Sequence, residues 1–214
     1  GKKIKQDITI INEIVDNGSI KEKEELLKLI NHVKENNSTL HLMGLLSDGG
    51  VHSDINYMVK IIPILKELGV DKVIFHAITD GRDTDSMCAL KYIDRMNEVL
   101  SENNIGHIGT VCGRFYAMDR DNKWERTRIY ADMLVNGKGL KILNPEIAIK
   151  NCYKRGLTDE FLPPLILNPE FKINEHDGLL WLNFRSDRAR QILKSLTDLS
   201  FNEYPIGHIN NLKV

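Results

Sequence analysis

Four short apolar runs, Thr39 to Leu46, Lys72 to Ile78, Ile105 to Cys112 and Gly178 to Phe184, each end directly on a polar segment that carries glycine or arginine. Runs of this length with such boundaries read as buried strands. Helical periodicity separates or follows them, at about 55–68, 87–100, 123–135 and 188–196. Strands alternating with helices imply right-handed crossovers, so the expected fold is α/β: a three-layer α/β/α domain on a largely parallel or mixed sheet. In such a sheet the carboxyl ends of the strands face one rim, and ligands bind in the crevice there.

Two helices are expected before the first strand. Ile8, Ile11, Ile14 and Val15 at helical spacing predict one over 6–16, with Asn17-Gly18 as its stop. Ser19 is placed to cap a second helix, which carries Leu26, Leu27, Ile30 and Val33. The stretch from Asn136 to Asp177 reads differently, because Pro145, Pro163, Pro164 and Pro169 interrupt any long element; an edge strand or a lid-like excursion is expected there. No repeat, linker or break in composition divides the chain, so residues 1–214 are expected to form one domain.

Composition narrows the function classes. With 29 basic and 30 acidic residues, neither a polyanion-binding face nor an acidic tail follows, which argues against a nucleic-acid partner. Cys88, Cys112 and Cys152 are odd in number and form no C-x-x-C pair, against a disulfide framework or a thiolate zinc site and in favour of a reducing cytoplasm. No apolar run approaches the roughly 20 residues of a membrane helix, and the lysine-rich start precedes no signal-peptide core. The first 81 residues contain ten lysines and no arginine, and all ten arginines lie from Arg82 onward. In a chain that otherwise uses lysine, arginine beside glycine or aspartate suggests a need for its planar fork on phosphate or carboxylate.

The four strand-end loops contain Ser47-Asp48-Gly49-Gly50-Val51-His52, Asp80-Gly81-Arg82-Asp83, Gly113 to Asp121, and Arg185-Ser186-Asp187-Arg188-Ala189-Arg190. Brought to one rim, they supply five or six guanidinium groups, a histidine and several carboxylates. Self-repulsion disfavours such a density unless an anion sits among the arginines. The implied ligand is small and multiply anionic, with two charged ends, as in a phosphorylated hydroxy acid. Plainer readings stand beside this one. The glycines after Ser47 make a turn and, without Gly-Lys-Ser/Thr, no Walker loop. His52 can be a packed or capping histidine, and Arg82 with Asp83 a loop ion pair. Asp119, Asp121 and Glu125 can neutralise Arg120, Arg126 and Arg128, and Arg185 to Arg190 can be an exposed helix start with Asp187 near its amino end.

Leu40 to Ser53, His76-Ala77 with Asp80-Gly81-Arg82-Asp83-Thr84, Gly113 to Asp121 with Trp124-Glu125-Arg126, Thr158 to Phe161, and Asn183 to Gln191 resemble, in order and spacing, the cofactor-independent phosphoglycerate mutases. Gly1 with Gln6-Asp7 is similar to the segment that follows the nucleophile region in that family. The resemblance covers nearly the whole chain. It implies one domain of a two-domain cytoplasmic enzyme that interconverts 3-phosphoglycerate and 2-phosphoglycerate through a phosphoserine. It also implies two manganese ions held in an alkaline-phosphatase-like domain outside this chain, no 2,3-bisphosphoglycerate requirement, and a monomer. Residue by residue, Arg185 and Arg188 are implied to hold the substrate phosphate, and His52, Arg82, Asp83, Arg114 and Arg120 the carboxylate and hydroxyl groups. Asp83 is implied to be the general acid/base, and no metal ligand falls in this chain. Asp54 stands where the family usually has a second histidine, and Thr84 is followed by Asp85 in place of the usual proline. The chain by itself is expected to bind substrate weakly and to be inactive. The competing readings are a stand-alone module that binds a small phosphorylated carboxylic acid without catalysis, and an interaction domain whose arginines serve salt-bridge networks.

Overall fold

A computed structural model describes residues 6–206 and 209–214 of the chain. Gly1, quoted above for the resemblance, lies outside them. Two helices open the fold, α1 (Asp7–Asp16) and α2 (Glu24–Glu35). Ser19 does not cap α2: it starts a separate 3-10 turn, Ser19–Glu22, and the helix follows at Glu24 with two glutamates in its first turn and His32 and Lys34 in its last. That charge order matches the helix dipole and needs no side-chain cap.

The strands and helices then alternate as expected: β1 (Leu40–Leu46), α3 (Ile55–Glu67), β2 (Val73–Thr79), α4 (Ala89–Glu102) and β3 (Gly106–Gly113). Asp54, the departure from the family pattern, caps α3 by accepting the Asn56 amide at 2.8 Å. After β3 come a single helical turn, α5 (Arg114–Ala117), and α6 (Trp124–Asn136). Every residue of β1 and β2 is buried, as a parallel strand covered on both faces requires.

The proline-bearing stretch is ordered structure: β4 (Leu140–Lys141), α7 (Pro145–Lys154), a 3-10 turn Asp159–Phe161, and β5 (Leu165–Ile166). Pro145 does not interrupt a helix but starts one. It occupies the first turn, where the missing N–H costs nothing, and Asn144 accepts the Ile147 amide at 3.0 Å. The chain closes with β6 (Gly178–Trp181), a 3-10 turn Ser186–Arg188 and α8 (Arg190–Thr197).

The sheet order is β4-β5-β3-β2-β1-β6. β6, β1, β2 and β3 run parallel, β5 pairs antiparallel with β3, and β4 runs parallel to β5. The sheet is therefore mixed, parallel through its centre. One face packs Leu42, Phe75 and Val111 against Ile30, Met58, Ile62 and Ile93; the other packs Met43, Ile78 and Cys112 against Tyr130, Met133, Ile192 and Leu196. These are the two cores of a three-layer α/β/α domain. Among the described residues no helix is long and apolar enough to cross a membrane.

Candidate functional site

Asp80, the first residue after β2, organises the rim. Its Oδ1 accepts the amides of Arg82 and Asp83, each at 3.1 Å, and Arg114 Nη1 at 2.6 Å. Arg114 donates also to Asp83 Oδ2 at 2.5 Å. Arg114 is only 4% exposed, so its charge is stable there because two carboxylates hold it. Burial pushes the Asp80 carboxyl up, but hydrogen bonds from Ser47, the Asp83 amide and Arg114 outweigh it and hold Asp80 below its ordinary range.

Asp119 fixes the loop between α5 and α6. Its Oδ2 accepts the amides of Asp121 (3.1 Å) and Lys123 (2.9 Å) and the Gln191 side chain from α8 (2.9 Å), while Oδ1 meets Arg126 at 3.4 Å. The Arg126 guanidinium lies 4.0 Å from the centre of the Phe115 ring. The loop holding Arg120 is thus tied to the helix that follows Arg188.

The remaining arginines are short of counter-charge. Arg120 Nη1 donates to Asp187 Oδ2 at 2.6 Å, and Arg185 Nε lies 3.9 Å from Asp187 Oδ1. Arg188 Nη1 donates only to the Met118 carbonyl, at 3.1 Å; its buried Nε finds no acceptor, and it pairs with no carboxylate among the described residues. Burial, then the charges of Arg120, Arg114 and Arg82, pull Arg188 below the usual arginine range, with Asp187 opposing. Arg120 and Arg185 thus share one carboxylate, and Arg188 beside them has none of its own. His52 sits beside them, 4% exposed with Nδ1 unpaired. Burial, followed by Arg114, Arg185 and Arg188, pushes it below the histidine range against the pull of Asp83, which keeps the ring neutral near pH 7.

All seven residues singled out from the sequence therefore meet at the carboxyl rim. Arg82, Arg114, Arg120 and Arg188 line a cavity of about 290 Å³; Asp83 is bonded to Arg114; His52 and Arg185 flank it. Asp121 lines it too, but Glu125 makes no ion pair there, and Arg128 pairs with Asp132. Sequence reasoning matched Thr158 to Phe161 to the family pattern but did not assign it a wall of the site. Glu160, from the proline-bearing stretch, pairs with Arg82 at 3.4 Å, and Phe161 packs on Phe115. The backbone at 159–162 approaches so closely that a Cβ on Gly113 would lie 2.2 Å from the Glu160 carbonyl, and one on Gly81, at φ +71°, 2.8 Å from the Glu160 amide. Those glycines were the available signal: each marks a strand end where another backbone must come close.

Among the described residues no group of three or more His, Cys, Asp or Glu side chains is placed to hold a metal. Asp80, Asp83, Glu160 and Asp187 are turned onto arginines, a donor set suited to an anion and not to a cation.

Residues 11–214 match the family model described as BPG-independent PGAM N-terminus (iPGM_N). The chain is 41% identical over 214 residues to the 2,3-bisphosphoglycerate-independent phosphoglycerate mutase of Clostridium novyi (strain NT), covering 98% of this chain and 42% of that protein. It is 39% identical over 219 residues to the protein of the same name from Listeria monocytogenes serotype 4b (strain F2365), covering 100% and 43%. A solved structure, Leishmania mexicana phosphoglycerate mutase at low cobalt concentration, superposes with a TM-score of 0.90 at 28% identity, over 97% of this chain and 40% of that one. The chain spans less than half the length of these relatives.

Proposed function

This chain belongs to the BPG-independent phosphoglycerate mutase family, and on that premise we propose that it is the substrate-binding domain of an enzyme that interconverts 3-phosphoglycerate and 2-phosphoglycerate. The observation that carries the proposal is the charge deficit at the rim, where Arg120 and Arg185 share Asp187, Arg188 pairs with no carboxylate among the described residues, and the buried Nε of Arg188 lacks an acceptor. A phosphate dianion supplies both the missing charge and the missing acceptor.

In this reading Arg185 and Arg188 take the phosphate, and His52, Arg82, Arg114 and Arg120 take the carboxylate and hydroxyl groups. Neutral His52 can donate to or accept from a hydroxyl without adding charge. Asp83 relays the hydroxyl proton as the phosphoryl group leaves or arrives; Arg114 holds its Oδ2 and thereby fixes its direction. The arginines orient the ligand and stabilise charge during phosphoryl transfer. A companion part of the same polypeptide is proposed to carry the serine that accepts the phosphoryl group and the sites for two manganese ions. Among the described residues of this chain no donor set for such ions is gathered. The family name supports independence from 2,3-bisphosphoglycerate; a monomer in the cytoplasm completes the proposal.

The test is a two-dimensional NMR titration of this chain with 3-phosphoglycerate. Shifts centred on His52, Arg82, Asp83, Arg114, Arg120, Arg185 and Arg188, lost in Arg188→Ala, are expected. An unperturbed rim at high ligand concentration would sink the assignment. Binding without any turnover once the companion part is present would favour the stand-alone binding module instead.

A further inference from the structure

Asp187 lies in the 3-10 turn Ser186–Arg188, between arginines from two different loops. Its partners are about half exposed, Arg120 at 47% and Arg185 at 46%, and Asp187 itself is 33% exposed. The Arg120 pair is charge-assisted but solvated, and Asp187 Oδ1 reaches Arg185 through charge alone, since no hydrogen bond is made there. Such pairs are weak and exchangeable. The Arg114 pairs with Asp80 and Asp83 differ: their partners are 4%, 1% and 21% exposed, and they belong to the permanent frame.

We propose that Asp187 is a built-in stand-in for the anionic ligand: it holds Arg120 and Arg185 towards each other in the empty site and surrenders them when the phosphorylated acid arrives. The idea rests on the reading of this rim as a phosphoglycerate site and adds a role for a residue that touches the guanidinium groups and not the ligand. Without any carboxylate, three neighbouring cations would splay apart. With one, the cluster stays assembled, and its affinity for an incoming anion is reduced by the pair that must first open. An enzyme that turns over nearly equivalent ligands gains from this, because binding too tightly raises no rate and slows release. Asp187 is therefore a positioning residue in the empty site and a competitor in the loaded one.

The two roles predict opposite results from one substitution. Asp187→Asn keeps the shape and removes the competing charge. If Asp187 is a stand-in anion, this variant binds inorganic phosphate and 3-phosphoglycerate more tightly than the wild-type chain, by about fivefold, the scale of a solvated ion pair. Asp187→Glu, which restores a carboxylate, returns the affinity towards wild type. NMR titrations of the three proteins, each checked for an unchanged amide spectrum away from the rim, measure this. Equal or weaker binding by Asp187→Asn, with wild-type binding at the rim intact, overturns the inference and leaves the site assignment standing. No rim perturbation in any of the three overturns both.

Discussion

The two rims of the sheet both carry buried polar groups, yet one network is closed and the other open. Towards the amino ends of the strands, Asp177 accepts His41 Nε2 at 3.1 Å, His41 Nδ1 faces His76 Nε2 at 2.9 Å, and His76 Nδ1 faces the Thr110 hydroxyl at 2.9 Å. One assignment satisfies every atom: Thr110 donates to His76, His76 to His41, and His41 to Asp177, whose oxygens also accept the Thr39 and Asn174 amides. At the carboxyl rim, Arg188 and His52 keep buried nitrogens without partners. The larger cavity, about 710 Å³ against about 290 Å³, lies at the amino rim, lined by Lys72 and Lys172 and by Asp71 and Glu170. Its charges balance. His107 Nε2, in the wall of that cavity, is buried without a partner too, so guanidinium charge short of counter-charge, and neither volume nor an unmet hydrogen bond alone, distinguishes the binding end.

Substitutions can break this contrast, and the largest effect is expected at the closed network. Asp177→Ala strands the His41 N–H and two amides, and should lower stability by about 3 kcal/mol or more in urea unfolding; whatever remains folded should bind 3-phosphoglycerate normally. A stability unchanged by this variant would show that the network is not closed. At the open rim the pattern should reverse. Arg188→Ala is expected to change stability by under about 0.5 kcal/mol while weakening 3-phosphoglycerate binding by about 2 kcal/mol, roughly thirtyfold, in calorimetry or NMR.

Acid should sharpen the difference further. Burial, then His41 and His107, hold His76 well below the ordinary histidine range, and hydrogen bonds hold Asp177 below the carboxylate range against its burial. Both depressed groups stabilise the fold above their unfolded-state values, near 6.5 and 3.9, and that stability is lost as pH falls towards the folded ones. Urea midpoints should therefore decline from about pH 6.5 downward, and His76→Gln should flatten the upper part of that decline. A flat profile between pH 7 and 5 would count against a neutral His76. The smallest effect is expected in the balanced cavity: Lys172→Ala should alter stability by under about 0.5 kcal/mol and leave anion binding untouched. Loss of binding there would move the site to the other rim.

Much of the fold was legible because its signals are local. The apolar runs at Leu40, Val73, Gly106 and Gly178 became the four parallel strands, and their trailing loops did meet. Between Asn136 and Asp177 an edge strand was one of two expectations, and β4 is one; the prolines hid the rest, since Pro145 opens a helix as readily as it breaks one and two-residue strands carry no period. The place of Glu160 at the rim was hidden for the same reason, although Thr158 to Phe161 matched the family pattern.

The sequence by itself determined the alternation of elements, hence the rim on which ligand groups gather, and the arginine-rich loops whose motifs resemble the mutases. Only the tertiary structure decided which charges are spent and which are free. Arg120 and Asp187 are 67 residues apart, His41 and Asp177 136 apart, and Arg114 and Asp80 34 apart. Such pairings follow from the strand order, with β1 between β2 and β6 and the 159–162 backbone folded over β3, which only the packing of helices on both faces selects. A residue's type announces the charge it can bring; the neighbours assembled around it decide whether that charge is left for a ligand.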